Sequence, residues 1–427
     1  FYKYNPDGRS QSLSNNYNGS LKVNHAIGKK IFYEAHIFSN QTDYKSFQFL
    51  PLDFGSAIPY QSGLDFGNEQ DVLLFIEDAG QYEIGSNTIT ILNDSTYILP
   101  NSNYASSKNI QGAPSSPTFS FGGSNRGHTY RYSKSYGGKI DFTSQINNRH
   151  ALKMGLQYRI DNLNERLFSV LYDDNTYRIP TIGPENASPS HSYYSENAIF
   201  FSGYIQDKLE YESFIMNVGI RYDLFDPQSS HIDSLLNPEN SLVQSSKKAM
   251  WSPRIGVAYP ITDEGILHFS YGHFYQMPTM RNLFLKNIFG AGLSPTIGYS
   301  DLKPQKTVMY EFGMQQQLSR FLAINGSVFY KDIRDLLALQ TINYNSPTYG
   351  PSSYSIYLNK DYSMVKGVTL SLTKRRDPDT KMSAFLDYSY QTTEGNSVSS
   401  GSFYFNALTG EEEEKKIVPL SWDQSHV

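Results

Sequence analysis

The strictest constraint in this chain is a side-chain alternation of period two that holds for about ten residues at a time and returns throughout the sequence. Over residues 213–225, Phe214, Met216, Val218, Ile220, Tyr222 and Leu224 share one face of an extended strand, and Asn217, Gly219, Arg221 and Asp223 share the other. Residues 307–318 set Val308, Tyr310, Phe312 and Met314 against Glu311, Gly313, Gln315 and Gln317. Residues 151–160 set Leu152, Met154, Leu156, Tyr158 and Ile160 against Lys153, Gly155, Gln157 and Arg159. A helix would scatter both sets around its axis, so the chain is all-β, with one greasy and one wet face per strand.

These strands come in pairs. Tight turns are predicted near residues 26–29, 146–149, 211–213, 260–265, 319–320 and 375–381, giving six hairpins and about twelve strands. Long segments rich in Ser, Asn, Gly, Pro and Tyr separate the hairpins, at residues 42–126, 162–195, 226–249, 276–304, 333–353 and 392–417. Soluble strands average about 5 or 6 residues with short links at both ends. Ten-residue strands with tight turns on one side and long loops on the other are the pattern of a transmembrane antiparallel β-barrel, its long loops extracellular and its turns periplasmic.

Composition agrees. The chain has 34 Tyr and 26 Phe beside two Trp, and its charged share of 18% is below the roughly 25% of soluble domains. Aromatics gather at strand ends leading to the long segments: Phe200, Phe201, Tyr204, Tyr222, Phe225, Tyr271, Phe274, Tyr275, Phe329, Tyr330, Tyr388 and Tyr390. They are expected to form the extracellular girdle, with Tyr222, Tyr271, Tyr275, Tyr330 and Tyr388 as its girdle or loop tyrosines. On the wet face, Arg159, Arg221, Arg254 and Glu311 are the expected lumen-facing charges, the arginines meeting water or carboxylates of a lumenal partner. The lipid bilayer is thus the first partner. No window approaches the ~20 apolar residues of a membrane helix.

Other chemistries find little support. A net charge of −5 without a basic stretch excludes nucleic acid as a partner. The absence of Cys removes disulfides, thiolate metal sites and cysteine nucleophiles. His268 and His273 differ by an odd number and fall on opposite faces, and His25 and His36 lie at different distances from their turn, so neither pair makes a metal site. Glu411 to Glu414 form a charge run expected to be a solvated loop, with calcium as its alternative. Gly122 to Gly127 lacks the strand, Gly-Lys-Ser/Thr ending and helix of a phosphate cradle. No nucleophile elbow or His-Glu-x-x-His occurs, so neither an enzyme nor a cofactor is expected. Met280, Leu283, Phe284, Asn287 and Ile288 fit a short packing helix. The segment Asn343 to Tyr357, rich in amides and aromatics, is a candidate for stacking on a sugar or chelate ring.

Several stretches go beyond pattern. Tyr204-Ile205-Gln206-Asp207-Lys208 leads to Asn217-Val218-Gly219-Ile220-Arg221-Tyr222-Asp223. Ser252-Pro253-Arg254-Ile255-Gly256-Val257-Ala258-Tyr259 and Leu267-His268-Phe269-Ser270-Tyr271-Gly272 follow. Asp301-Leu302-Lys303-Pro304 precedes Tyr310-Glu311-Phe312-Gly313, and Val365-Lys366-Gly367-Val368 precedes Trp422-Asp423-Gln424-Ser425-His426-Val427. In this order and spacing they resemble the barrel domain of TonB-dependent receptors, particularly the large ones of Bacteroidetes-like bacteria.

The resemblance implies a twenty-two-stranded barrel in a Gram-negative outer membrane, with a plug domain in its lumen. It also implies uptake of a scarce siderophore, haem, cobalamin, oligosaccharide or peptide, driven by the TonB complex through an N-terminal box and aided by a surface-exposed substrate-binding lipoprotein. Residues 1–427 show no plug-like segment, TonB box or aromatic-ended closing strand, and Gln305 stands where the family usually has Glu. The chain is therefore expected to be a partial barrel domain. A passive channel with an open lumen and an adhesive or structural surface barrel remain open as alternatives.

Overall fold

A computed structural model describes residues 10–47, 127–169, 192–239, 241–287, 295–376, 381–396 and 417–420, a few short strands elsewhere, and Asp423. Among the described residues, twelve long strands follow one another in chain order: β1 (Gln11–Ile27), β2 (Ile31–Phe47), β3 (Gly127–Gln145), β4 (His150–Ser169), β5 (Ser192–Tyr211), β6 (Phe214–Asp226), β7 (Lys248–Thr262), β8 (Gly265–Gln276), β9 (Gln305–Ser319), β10 (Leu322–Ser346), β11 (Gly350–Lys374) and β12 (Ala384–Gly395). Each pairs antiparallel with the next, so the wall is one continuous meander. Turns occupy the first five predicted places, and the sixth, at 375–381, lies largely outside the described residues. The first uses Gly28 at φ 65°, a left-handed conformation that glycine adopts without penalty.

The pairing fixes the tilt. A single line of partners runs Ala26, Phe32, Thr143, Lys153, Gln206, Gly219, Arg254, Gly272, Met309, Lys331, Val365 and Thr393, crossing every long strand. It enters beside the turn-side end of β1 and leaves near the loop-side end of β12, a climb of about one residue per strand. With ~3.3 Å per residue and ~4.8 Å between strands, such a stagger inclines the strands by roughly 35°, within the range of closed barrels.

The two faces differ as the alternation requires. Leu21, Val23, Ile37, Ile140, Leu156, Ile205, Val218, Ile220, Phe269, Phe312, Val328 and Leu370 are all exposed on one face. A contiguous apolar surface of this extent in water would drive association, whereas against lipid tails it is at rest. The opposite face carries Lys22 against Glu34 at 2.8 Å, Lys139 against Asp141 at 2.6 Å, and Ser327 bonded to Thr369 at 2.8 Å.

Glycines on the polar face have a packing role that the alternation alone does not reveal. Phe38, Tyr204, His268 and Phe329 stand directly opposite Gly137, Gly155, Gly313 and Gly367, and each ring lies where a glycine side chain would be. A Cβ on Gly155 would come within 2.5 Å of both Asp141 Oδ1 and Tyr204 Cε1. These rings cover backbone that glycine leaves bare, and they lie flat on the wall.

The structure corrects the extent of several strands. β10 and β11 are 25 residues each and run through the 333–353 segment expected to be a loop. Their upper halves meet water or other loops, so the alternation that marks a lipid-facing strand is replaced by Ser, Asn and Tyr, which read as loop. Gly350, at φ 74°, closes that hairpin. β4 and β5 likewise extend past Asn162 and Ser195. The glycine run at 122–126 and the acidic run at 411–414 lie outside the described residues.

Candidate functional site

The four lumen-side candidates lie on the polar face. Arg159 sits 4.1 Å from the centroid of Phe200 and 3.0 Å from Asp161. Arg221 grips Asp223 through Nε and Nη2, at 2.8 and 2.7 Å. Arg254 lies 4.6 Å from the centroid of Phe274, and Glu311 is 4.0 Å from His268. They do not converge on one centre, although Arg221 and Arg254 line the same hollow.

Two of the arginines expected to meet water or a lumenal partner are neutralised within their own strand, because residues i and i+2 share a face. Lys139 and Asp141 follow the same rule. The signal, a basic and an acidic residue two apart on the wet face, was present in the sequence.

Of the tyrosines expected in the girdle, Tyr222, Tyr271 and Tyr330 lie in a row of rings on the apolar face. The tilted rings of Tyr222 and Trp251 lie 4.7 Å apart, those of Tyr271 and Tyr310 5.0 Å, and those of Tyr310 and Tyr330 6.4 Å. Tyr388 stands opposite Leu370, four residues into β12 and nearer the turns. Tyr275 packs against the apolar cluster at the loop end. Phe200, Tyr204, Phe225, Phe274 and Phe329 turn inward instead. Their height along the strand matches the girdle, but their parity puts them on the polar face.

At the loop end of β4 to β7 the polar face becomes apolar. Tyr194, Ala198, Phe225, Met250 and Leu302 are buried with Leu283 and Phe284 of a short helix, α1 (Met280–Phe284), which is shorter than expected because Asn287 pairs with Ser192 of β5, while Ile288 lies outside the described residues. The segment after β8 therefore folds over the inner wall. Each buried Leu or Phe contributes about 1.5–3 kcal/mol to holding it there. Two ion pairs add orientation: Arg281 lies 3.8 Å from the buried Glu165, which also holds Arg131 at 2.7 Å, and Lys286 meets Glu196 at 2.5 Å.

The stretch Asp301 to Pro304 anchors this shelf. Leu302 is 1% exposed in the apolar cluster. The Lys303 amide donates to Asn359 Oδ1 at 2.8 Å, while Asn359 Nδ2 donates to the carbonyls of Lys303 and Asp335. Asp301 accepts from Lys248 Nζ at 2.5 Å and from the amide and hydroxyl of Ser246 at 2.8 and 2.6 Å. Burial pushes its carboxyl upward, but the bonds from Lys248 and Ser246 outweigh burial and hold it below the usual carboxylate value.

Above the shelf, β10 and β11 form a tower. Ile342, Tyr354 and Ile356 pack on Ile232 and Ile297, the Tyr354 hydroxyl donates to the Leu235 carbonyl at 2.7 Å, and Tyr344 donates to Glu239 at 2.8 Å. Burial and the Glu239 carboxylate push the Tyr344 hydroxyl up to about 12. Tyr344 and Tyr354, expected to stack on a cargo ring, are thus turned into the tower's own core. Thr341, Asn343 and Ser355 line its other face.

Among the described residues no cluster of three or more His, Cys, Asp or Glu could hold a metal. His268 faces Glu311 inside, whereas His273 bonds the Tyr271 hydroxyl at 2.6 Å outside. His25 pairs with Tyr33, and His36 with Lys22.

A family model described as "TonB dependent receptor-like, beta-barrel" matches residues 2–412. Among solved structures, the chain is similar to "Copper transporter OprC" at 12% identity and TM-score 0.49, covering 89% of this chain and 46% of that one. It is similar to the siderophore receptor PiuA from Acinetobacter baumannii at 12% identity and TM-score 0.49, covering 91% and 48%. The outer membrane transporter YddB from Escherichia coli matches at 13% identity and TM-score 0.47, covering 90% and 55%. The chain thus spans about half the length of these structures. No curated protein matches it.

Proposed function

Since the chain belongs to the TonB-dependent receptor-like β-barrel family, whose members are transporters of the Gram-negative outer membrane and not enzymes, we propose that it forms part of the wall of an active importer. Residues 1–427 are read as part of a twenty-two-stranded barrel domain whose lumen takes a plug. A TonB box upstream couples the barrel to the inner membrane, and a surface lipoprotein is a further partner. The cargo is a large, scarce solute: a siderophore, cobalamin, an oligosaccharide or a peptide.

One observation carries this reading: the inversion of polarity across a single tilted sheet, apolar toward lipid and ion-paired toward the interior. A soluble sheet of this size would hide its apolar side. This one exposes Ile37, Leu156, Ile220, Phe312 and Leu370 while keeping Lys139, Asp141, Arg221 and Asp223 together on the other side.

Uptake of labelled siderophores, cobalamin, glycans and peptides in a deletion strain tests it. Loss of uptake of one class, reproduced when TonB is removed, is expected. Uptake independent of TonB would mark a passive channel, and normal uptake of every class would overturn transport.

A further inference from the structure

Above the row of tyrosines the outward face of β9 to β11 turns basic. Tyr271, Tyr310 and Tyr330 are successive partners, and Lys366 of β11 stands opposite Tyr330 at the same level. Four residues further toward the loops, Lys306 and Arg334 are direct partners on β9 and β10. Positions an even number of residues from Tyr310 and Tyr330 share their face, so all three cations belong to the outside of the wall. About 13 Å of strand separates the two levels, and a belt of tyrosines marks the lower one as headgroup level. A plug would lie on the opposite face, and β9, β10 and β11 each have both sheet neighbours, so lipid is what this surface meets.

Like charges at directly opposed strand positions repel, and this face offers little to offset them. Asp332 is spent on Arg334, whose Nε it meets at 2.7 Å. Glu394, the acid of this face on β12, stands opposite Met364. Among the described residues, neither Lys306 nor Lys366 has a carboxylate partner. Above Tyr222 and Trp251, by contrast, Lys247 is neutralised by Asp226 at 3.0 Å. Arg334 is also held in place: its guanidinium lies 5.1 Å from the centroid of Tyr362, and its side chain is 53% exposed. With the face on a ring and Nε on Asp332, its two terminal NH2 groups stay available, a planar pair that matches phosphate oxygens.

We propose that this outward patch binds the phosphates of an anionic lipid of the outer leaflet, Arg334 and Lys306 sharing one phosphate and Lys366 reaching a second nearer the tyrosines. A lipid, and not a free phosphate, is the ligand, because the exposed apolar side chains of Phe312, Val328 and Val368 lie directly below to receive its acyl chains. The inference goes beyond the transport reading and rests only on the outer-membrane setting of the family.

Native mass spectrometry of the purified full-length receptor in detergent, titrated with a bisphosphorylated, acylated glucosamine disaccharide, is the experiment. Saturable retention of the lipid is expected, with its phosphate-free analogue held at least tenfold more weakly. Lys306→Gln combined with Arg334→Gln should weaken binding by roughly tenfold or more, since charge-assisted bonds are removed. Lys306→Arg, which keeps the charge, should bind as the wild type does, and so should Lys247→Gln, whose amine is already spent on Asp226. Lys366→Gln alone should weaken binding severalfold, an independent reading if the double variant loses the heat-modifiable mobility of a folded barrel. Unaltered binding in folded Gln variants overturns the proposal, as does equal retention of the phosphate-free analogue. An equal loss in Lys247→Gln would assign the effect to the charge of the whole rim, and inorganic phosphate bound as tightly as the lipid would make the ligand a free anion; either result overturns this site. A receptor that holds the lipid through these residues but imports nothing would sink the transport reading and leave the patch standing.

Discussion

The hydroxyl of Tyr204 on β5 donates to Asp141 on β3 at 2.7 Å, reaching across β4 at the one place where the intervening residue, Gly155, has no side chain. Three strands are thereby tied on the inner wall by a bond that skips the middle one. Gly155→Ala is expected to destabilise the barrel by about 1–3 kcal/mol, because Cβ would displace both groups. Tyr204→Phe keeps the ring over the glycine and should cost only about 0.5–1.5 kcal/mol. Urea unfolding in lipid vesicles measures both. An equal or larger effect of Tyr204→Phe would mean that the bond, and not the close approach, dominates.

Leu302 is the apolar peg of the mouth shelf. Leu302→Ala should lower stability by about 2–5 kcal/mol if the cavity stays open. The more specific expectation is local: amide exchange should accelerate over residues 279–287 and 295–304 and in the tower before it changes in β1 to β3. Uniform acceleration along the sheet would show that the shelf is not a separate unit.

Acid should release the Asp301 anchor. The folded carboxyl lies below its unfolded value, so its contribution is complete above that unfolded value, near 3.8, and fades as pH falls through the lower folded one. Corrected for intrinsic rates, exchange of the Ser246 amide should be slow at neutral pH and rise in that acid window. In Asp301→Ala it should already be fast at neutral pH and lose its dependence on pH. A wild-type amide that stays protected throughout the window would contradict this assignment.

The girdle can be read optically. Trp251 is 56% exposed on the apolar face beside Tyr222, and the second of the two Trp is Trp422. In a Trp422→Phe background, brominated lipids should quench Trp251, more strongly when bromine lies near the headgroups than deep in the chains. Efficient quenching by aqueous acrylamide with none from lipid would remove this face from the membrane.

Much of this was legible without coordinates. Val308, Tyr310 and Phe312 against Glu311 and Gly313 declare a strand with one side in lipid, because side chains of a strand must alternate. The turns follow from where that alternation stops. The sequence by itself thus determined the class of fold, the antiparallel meander and which side of each strand is greasy.

Tertiary structure decided what required a neighbour. Whether Phe200 joins the girdle or lies under Arg159 depends on its face, and height along the strand carries no information about that. Gly155 reads as an ordinary wet-face position until Tyr204 is placed opposite it. Tyr344 and Tyr354 look like cargo-binding rings until residues 232–239 close over them. Alternation is a local property of the backbone and survives in one dimension; the register that brings Lys153 and Arg254 to one level is a relation between strands about a hundred residues apart.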